Sequence, residues 1–482
     1  MLVGLFTTRV VIRTLGEVDL GLYNVIGSVA IMLISIQESL SQASSRFLTF
    51  ALGKGDEEEI KRNFKNVLTA HLYISILTLV VFETIGLYFF YKLNIPEGRE
   101  FACFVCYQFT AISSCVTLLC VPFTASIIAH ERMDFYAYMS IFDVVMKLVI
   151  LYVIMVIPFD KLISYGALLL AVSLFGTAIQ CIYAKKQFKE TSLSITKDYQ
   201  SLVDVFKFAG WNALDHFSQV ISQQGGNFLL NIFFTPAVNA ARLIGMQVSS
   251  ITARFVSGIQ TAISPQIIKQ YAINDYEYMR QIMIKGSIYS FYILFILNFT
   301  IYFELPQIIR LWLGSYPDYT IIFVRIVMVQ AILANTIINP LRTAINATGN
   351  LKQTNITCAI IYFSSLAITY ILLKVSFPPQ IVFIIIVVAY LIIIFFRVSF
   401  LSSLIGFSAM NYLLQIGGKV GTVSIICIIS YFILHQLFPI QGFINILIPF
   451  TLSCGVVFTI GLSLQEKNYI FKLIKDKINH LK

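Results

Sequence analysis

Charged residues are scarce in this chain of 482 residues: only 12% are Asp, Glu, Lys or Arg, whereas 58% are hydrophobic. Soluble domains carry about 25% charged residues, so this composition excludes an ordinary soluble protein. The longest clearly polar stretch, residues 185–200, has the length of a loop and not of a domain. Apolar stretches of about 20 residues, each long enough to cross a hydrocarbon core, recur along the chain. We therefore expect an all-α polytopic membrane protein.

The sequence also lacks the motifs of common enzymes. It contains no Gly-rich phosphate loop, no Walker motif and no HExxH, and no nucleophile–base pattern stands out. The eight cysteines lie mostly in apolar stretches, and the CxxC of Cys103 and Cys106 has no second pair at zinc spacing. Small packing residues are the favoured interpretation of these cysteines. We expect a carrier without metal or cofactor.

The net charge of +10 does not indicate a nucleic-acid partner, because the basic residues are concentrated in alternate connections. Such alternation is what the positive-inside rule requires of a membrane protein. The basic connections are 53–65, 185–206, 269–285 and the C-terminal tail. We expect these connections and the C-terminus on the cytoplasmic side.

Apolar stretches between polar connections predict about fourteen transmembrane helices. Their approximate bounds are 1–14, 21–50, 66–91, 101–129, 136–158, 161–184, 207–234, 238–268, 281–303, 319–346, 354–375, 380–401, 414–438 and 442–464. The first stretch is too short to span a bilayer alone, so we expect a truncated first helix.

The chain repeats itself weakly at an offset of about 219 residues. The stretch 82–96 resembles 303–317, and VPFTASIIAHERM (121–133) resembles NPLRTAINATGNL (339–351). Six helices per repeat would give two parallel halves, a transporter plan that places the substrate between the halves. The predicted divisions are a first half at 1–190, a second half at 201–403, two additional helices at 414–464, and a basic tail at 465–482 that lies on the membrane surface.

Polar residues align on one face of four predicted helices, at steps of three or four. An arginine at the centre of a bilayer costs at least about 2.5 kcal/mol, so these faces should line water and not lipid. The stripes comprise Arg9 and Arg13 on helix one, Glu38, Gln42 and Arg46 on helix two, Asp215, Gln219, Gln223 and Asn227 on helix seven, and Gln247, Ser250 and Arg254 on helix eight.

Cations outnumber acids among these candidates. Guanidinium groups bind phosphate oxygens in a bidentate manner, so a phosphorylated anion is the expected substrate. The candidate phosphate ligands are Arg9, Arg13, Arg46, Arg242 and Arg254. The candidate neutral hydrogen-bonding groups are Gln42, Gln219, Gln223, Asn227, Gln247 and Ser250. Either Glu38 or Asp215 could carry a coupling proton.

Structural roles remain open for several of these residues. Arg13 could extend to the lipid headgroups, Arg46 could pair with Glu38, and Arg242 could be a loop cation. Asp215 could form a structural hydrogen bond with His216. Asp143 and Lys147, spaced i, i+4 with opposite charges, favour a self-neutralising pair.

Two regions resemble a known family. The stretches TTRVVIRTLGEVDLGLYNVIGSVAIML (7–33) and ASSRFLTFALGKGD (43–56) resemble the first hairpin of Wzx-type polysaccharide flippases. The stretches GWNALDHFSQVISQQGGNFLLNIFFTPAVNAAR (210–242), LWLGSYPDYT and PLRTAINATGNLK are similar to that family's second half. The family belongs to the superfamily of the multidrug/toxic-compound extruders (MATE transporters) and the lipid II flippases.

The resemblance implies a fourteen-helix protein of the bacterial inner membrane. It would move polyprenyl-diphosphate-linked oligosaccharides across that membrane by alternating access, with arginines holding the diphosphate. The substrate, membrane lipids and polysaccharide assembly proteins such as a polymerase would be its partners. The alternative is a cation-coupled multidrug extruder on the same scaffold, which would require a cavity dominated by acidic and aromatic residues.

Overall fold

The computed structural model describes residues 19, 22–23, 38–90, 95–192, 194–196, 198–313, 316–437, 444–468 and 472. Within these ranges all regular secondary structure is helical. The helices of the N-terminal part are α1 (described over 38–54), α2 (Glu57–Val81, continued by a π-helical turn Phe82–Gly86 and by Leu87–Phe90), α3 (Glu100–Ala129), α4 (Met133–Val156), α5 (Lys161–Gln187) and α6 (Tyr199–Phe233).

The helices that follow include one short amphipathic segment, α9. They are α7 (Pro236–Ala272), α8 (Tyr276–Phe303), α9 (Leu305–Leu313), α10 (Thr320–Leu333, a π-helical turn Ala334–Ile338, and Asn339–Thr348), α11 (Lys352–Lys374), α12 (Ile381–Ile405), α13 (Ala409–Leu437) and α14 (Ile444–Val456, with a π-helical turn Val457–Gly461). A helix coincides with each predicted segment from the third onward, and the prediction of an all-α polytopic membrane protein is confirmed.

Among the described residues, nine helices are long and apolar enough to cross a membrane, and α14 contributes a shorter apolar helix, Leu447–Gly461. The nine are α2 to α5, α8 and α10 to α13. The long helices α6 and α7 are not among them. These two helices carry two of the predicted polar stripes, so their composition departs from that of ordinary lipid-facing helices.

The predicted helix starts at 66 and 207 were the latest, by nine and eight residues, and one helix was missed. Helix α2 begins at Glu57 because Asp56 accepts hydrogen bonds from the N–H groups of Glu58 and Glu59, both at 3.0 Å. Helix α6 begins at Tyr199 behind Asp198, which accepts from the Ser201 N–H at 3.2 Å. Helix α9 lies within the predicted connection 304–318.

The predicted repeat is visible in the backbone of the described residues. Helices α2, α3, α4 and α5 begin 219 to 220 residues before α8, α10, α11 and α12. The turns repeat as well, since residues with positive φ recur at the same offsets. These pairs are Gly55 and Asn274 (219 apart), Gly98 and Tyr319 (221), and Glu131 and Gly349 (218). The repeat therefore extends to turn geometry, which weak sequence identity alone does not establish.

The chain forms two compact units. The first comprises Met1–Phe217, Ile268–Asp275 and Asn346–Asn355, and the second comprises Ser218–Ile267, Tyr276–Ile345 and Ile356–Lys482. In the first, Phe64 and Phe123 belong to a buried cluster between α2 and α3. In the second, Phe323 and Phe383 join α10 to α12. The division predicted from the sequence at 190–201 stays a prediction.

Candidate functional site

Arg46, on α1 in the first unit, binds the end of another helix. Its Nε–H donates to the carbonyl oxygen of Asn346 at 3.0 Å, and its Nη2 donates to that of Ala347 at 3.4 Å. Both carbonyls belong to the last turn of α10, where carbonyl groups carry partial negative charge, and that of Asn346 also accepts from the Gly349 N–H at 3.2 Å. The half-buried guanidinium is therefore stabilised by a helix C-terminus.

Aromatic rings complete the surroundings of Arg46. The guanidinium carbon lies 5.0 Å from the Phe47 ring centroid and 5.2 Å from those of Phe50 and Phe208. A cation this close to a ring face gains about 0.5–1 kcal/mol even at exposed sites. The hydrogen bonds to the two carbonyls use two of the five guanidinium N–H groups. The other N–H groups are chemically capable of binding an anion.

Gly349 is the residue that lets Arg46 approach α10. Its φ is +75°, and a Cβ at this position would lie 2.6 Å from Nη2 of Arg46. A left-handed φ favours glycine, and the missing side chain leaves room for the guanidinium. The turn at residues 348–350 (TGN) thus ends α10 and also leaves space for the Arg46 guanidinium.

The rest of the α1 stripe continues this network within the first unit. The amide of Gln42 contacts Nε2 of His216 at 2.9 Å and accepts from Nδ2 of Asn346 at 3.1 Å. Nδ1 of His216 lies 3.9 Å from the Glu38 carboxylate, which is itself exposed. The predicted residues Glu38, Gln42 and Arg46 are therefore brought together with His216, which the prediction had considered only as a partner of Asp215.

A second polar group lies within the second unit and includes a residue that sequence reasoning missed. Nη2 of Arg342 donates to the side-chain oxygen of Gln219 at 3.3 Å, and the Gln219 amide donates to the Tyr390 hydroxyl at 3.4 Å. Arg342 lies in the stretch NPLRTAINATGNL, which had been used only to identify the repeat. An arginine in a predicted membrane helix was the available signal.

Amides cluster at the π-helical turn of α10. The Gln260 amide donates to the Asn335 carbonyl, and Nδ2 of Asn339 lies 3.2 Å from the Gln260 side-chain oxygen. Asn335 belongs to the turn and Asn339 follows it directly. π-Helical turns inside α-helices occur frequently at functional sites because they redirect side chains. These residues place hydrogen-bonding groups beside the α7 stripe, inside the second unit.

Two predicted residues are almost fully buried. Arg242 is 6% exposed and donates to the Gln223 carbonyl at 2.8 Å, so it connects α7 to α6 within the second unit. Asp215 is 1% exposed. Arg397 on α12 is also 1% exposed and was overlooked, although an arginine within the run FFRVSF is unusual. Gln223 and Asn227 are partly buried on the same face of α6.

Arg254 differs from these arginines because its side chain is exposed. Among the residues that the structure describes, no carboxylate forms an ion pair with it. The neighbouring stripe residues Gln247 and Ser250 are exposed as well, and Ser257 follows one turn later. Arg9 and Arg13 lie outside the described residues.

The predicted self-neutralising pair of Asp143 and Lys147 on α4 is confirmed, because Lys147 Nζ lies 2.6 Å from Asp143 Oδ2.

This architecture is shared with solved transporters at low sequence identity. A MATE protein in its bent conformation aligns with a TM-score of 0.72 and 14% identity, over 84% of this chain and 91% of that chain. The Vibrio cholerae MATE transporter VcmN aligns with 0.62 and 15%, over 85% and 96%. A MOP superfamily transporter from Pyrococcus furiosus, described as having a binding pocket of reverse polarity, aligns with 0.67 and 12%, over 84% and 92%.

The chain therefore has the fold of MATE transporters and is a multi-pass membrane protein. No protein-family model matches it, and no curated protein matches it in sequence. Identities of this size define the fold, whereas substrate and mechanism depend on the residues that the fold presents.

Proposed function

We propose that the chain is a secondary transporter that moves polyprenyl-diphosphate-linked oligosaccharides across the bacterial inner membrane by alternating access, with its C-terminus in the cytoplasm. The fold supports a transporter, and the resemblance of residues 7–33, 43–56 and 210–242 to Wzx-type flippases supports this substrate class. Membrane lipids and polysaccharide assembly proteins are the proposed partners. A transporter of this kind needs no catalytic residue, since differential binding shifts its conformational populations.

The exposed guanidinium of Arg254 carries the proposal. Arg254 lies 18 residues from each end of α7 (Pro236–Ala272), which is about 27 Å at the rise of an α-helix. An exposed arginine at that depth is too costly in lipid, so it favours a water-filled or ligand-filled surrounding. Phosphate oxygens are the ligands that a guanidinium binds best.

Neutral polar side chains near the α7 stripe would form hydrogen bonds with the oligosaccharide of the proposed substrate. Gln247 and Ser250 are exposed on α7, and the amides of Gln260 and Asn339 lie within the same unit. Arg342 beside Gln219 offers a further cation in that unit. We propose that Arg9, Arg13, Arg46 and Arg242 assist diphosphate binding and that Glu38 or Asp215 carries a coupling proton.

A multidrug extruder is the second candidate. One structural neighbour, at a TM-score of 0.70, is an outward-facing multidrug resistance MATE transporter, so the fold accommodates that function equally well. The charged residues described above for the candidate site favour an anion, because Arg46, Arg242, Arg254, Arg342 and Arg397 outnumber Glu38 and Asp215.

Proteoliposomes distinguish the two functions. We expect purified protein to flip a fluorescent polyprenyl-diphosphate oligosaccharide, with at least about tenfold loss in Arg254→Gln and much smaller loss in Arg254→Lys. Arg310→Gln, which removes an exposed arginine from α9, is the matched control and should flip normally. Absence of flipping together with uptake of cationic dyes that Asp215→Asn abolishes would favour the drug extruder.

A further inference from the structure

A cavity of about 560 Å³ lies within the second unit between α8, α13 and the end of α14. Its lining includes Lys285, Lys419, Glu466, Tyr289 and Gly418. None of the residues proposed above for substrate binding borders it. The cavity therefore requires an account separate from transport.

Two lysines and one glutamate are the charged residues named in the lining of this cavity. Both lysines are exposed, and neither forms an ion pair with a carboxylate of the described residues. Glu466 is already engaged, since it accepts from the Tyr289 hydroxyl and from the Ser463 N–H at 2.7 Å. Burial raises the pKa of Glu466, but these hydrogen bonds and Lys419 lower it below its ordinary value. The two ammonium groups outnumber the single carboxylate, so the cavity lining keeps a net positive charge that attracts an anion.

The surface beside the cavity is suited to acyl chains. Only 22% of the most apolar stretch of α13 is buried. Leu414, Ile425 and Phe432 of this helix are 61%, 58% and 57% exposed. A Cβ at Gly418 would meet nothing within 4 Å, so a ligand can approach the α13 backbone there. An amphipathic ligand fits these features better than a small soluble anion.

Both lysines lie at the depth expected of lipid phosphates. Lys285 is the tenth residue of α8 and Lys419 the eleventh of α13, about 14–15 Å along each helix. The basic connection 269–285 precedes and enters α8, which predicts the cytoplasmic side for this end. Lysine side chains near helix ends reach the headgroup region while their stems stay in apolar surroundings.

We propose that this cavity binds the phosphate of an anionic phospholipid of the cytoplasmic leaflet. Lys285 and Lys419 contact the phosphate, and the acyl chains lie along the exposed apolar face of α13. The site holds a membrane lipid and is independent of which substrate the protein carries.

Native mass spectrometry of the purified full chain tests the site with phosphatidylglycerol and phosphatidylcholine as probes. We expect wild type to prefer phosphatidylglycerol, and the double variant Lys285→Gln/Lys419→Gln to lose about 10- to 30-fold in its apparent affinity. The control Lys185→Gln/Lys186→Gln removes two exposed lysines from the end of α5 and should retain the lipid.

A steric variant separates loss of the site from loss of the fold. Gly418→Leu fills the cavity while preserving both lysines, and should weaken phosphatidylglycerol binding. Gly421→Leu, equally unobstructed but outside the cavity, should leave that binding unchanged. Equal binding of both lipids by wild type would overturn the proposal. Displacement of the lipid by millimolar glycerol phosphate would overturn it too, by showing a site for soluble anions.

Discussion

Helices α2 and α8 occupy equivalent positions in the two repeats, yet they are buried to different extents. In the most apolar stretch of α2, 39% of residues are buried, against 67% in α8. The difference arises because α13 and α14 pack on α8, with Phe291, Phe295 and Tyr431 in the shared core. Repetition of a sequence therefore fixes the backbone plan without fixing what each face contacts.

The matched acids Glu83 and Glu304 show the same contrast. Glu83 lies in the π-helical turn of α2, is exposed, and accepts a long 3.4 Å contact from Gln108. Glu304 is 4% exposed and accepts from the Tyr431 hydroxyl of α13 at 3.1 Å. The additional helices turned one of them into a buried group.

The largest expected effect follows from removing the additional helices. A chain ending at Gly406 loses α13 and α14 and exposes the aromatic face of α8, so we expect aggregation in place of a folded monomer. Size-exclusion chromatography in mild detergent is the measurement. A monodisperse truncated chain with normal melting would show that this packing is dispensable.

Truncating Glu304 should cost more than truncating Glu83. Glu304→Ala leaves the buried Tyr431 hydroxyl without its partner, a loss of about 1–3 kcal/mol. Glu83→Ala, at an exposed position, should change stability by less than about 0.5 kcal/mol. Thermal unfolding in detergent compares the two, and equal shifts would contradict the account of burial.

The matched turns at Gly349 and Glu131 should differ in their sensitivity to substitution. Gly349→Ala forces a side chain into a left-handed backbone, at about 1–2 kcal/mol, and also displaces Arg46. Glu131→Gly relieves the same kind of strain, at φ +58°, but removes an ion pair with Lys269. Melting temperatures should fall clearly for the first variant and change little for the second; a fall of equal size in both would argue against a special role of Gly349.

The smallest expected effect is the pH dependence of folding stability that arises from Asp160 at the start of α5. Burial raises the pKa of Asp160, but the N–H groups of Ile163 and Leu162 and the Arg99 guanidinium bring it below its ordinary value of 3.8. Ionised Asp160 contributes to folding stability at pH values above the pKa that it has in the unfolded chain. This contribution is lost as the pH falls through the lower pKa that Asp160 has in the folded protein. Because the pair is partly solvated, we expect less than about 1 kcal/mol.

Asp160→Asn isolates this charge, since asparagine also caps helices. Wild type should lose its stability advantage over the variant between about pH 4 and pH 2. The equivalent helix α12 has Gln380 at its N-cap, and this side chain makes no capping bond, so α12 offers no such titration. If the difference in melting temperature between wild type and Asp160→Asn stayed constant down to pH 2, the Asp160 charge would not contribute to this pH dependence.

Much of the fold could be predicted, because apolar runs report membrane helices directly. The start of α2 could also have been predicted from the Asp56 cap and its acidic first turn. Helix α9 was missed because Leu305 and Ile309 give only one buried turn, which a search for long apolar runs overlooks.

The site was less predictable because its contacts join distant parts of the chain. Arg46 and Asn346 are 300 residues apart, and no local pattern shows that a guanidinium meets a helix C-terminus. Arg342 and Arg397 could have been identified as arginines within apolar segments, but spacing alone does not distinguish the exposed Arg254 from the buried Arg242.

The most direct test of the central claim is the aqueous accessibility of α7 beside Arg254. In a cysteine-free background, Ser257→Cys should react in membranes with a water-soluble maleimide, and a polyprenyl-diphosphate oligosaccharide should protect it. Ile425→Cys, on the apolar face of α13, is the unreactive control. Reaction of Ser257→Cys only after detergent extraction would place this stripe in lipid or protein and contradict the account.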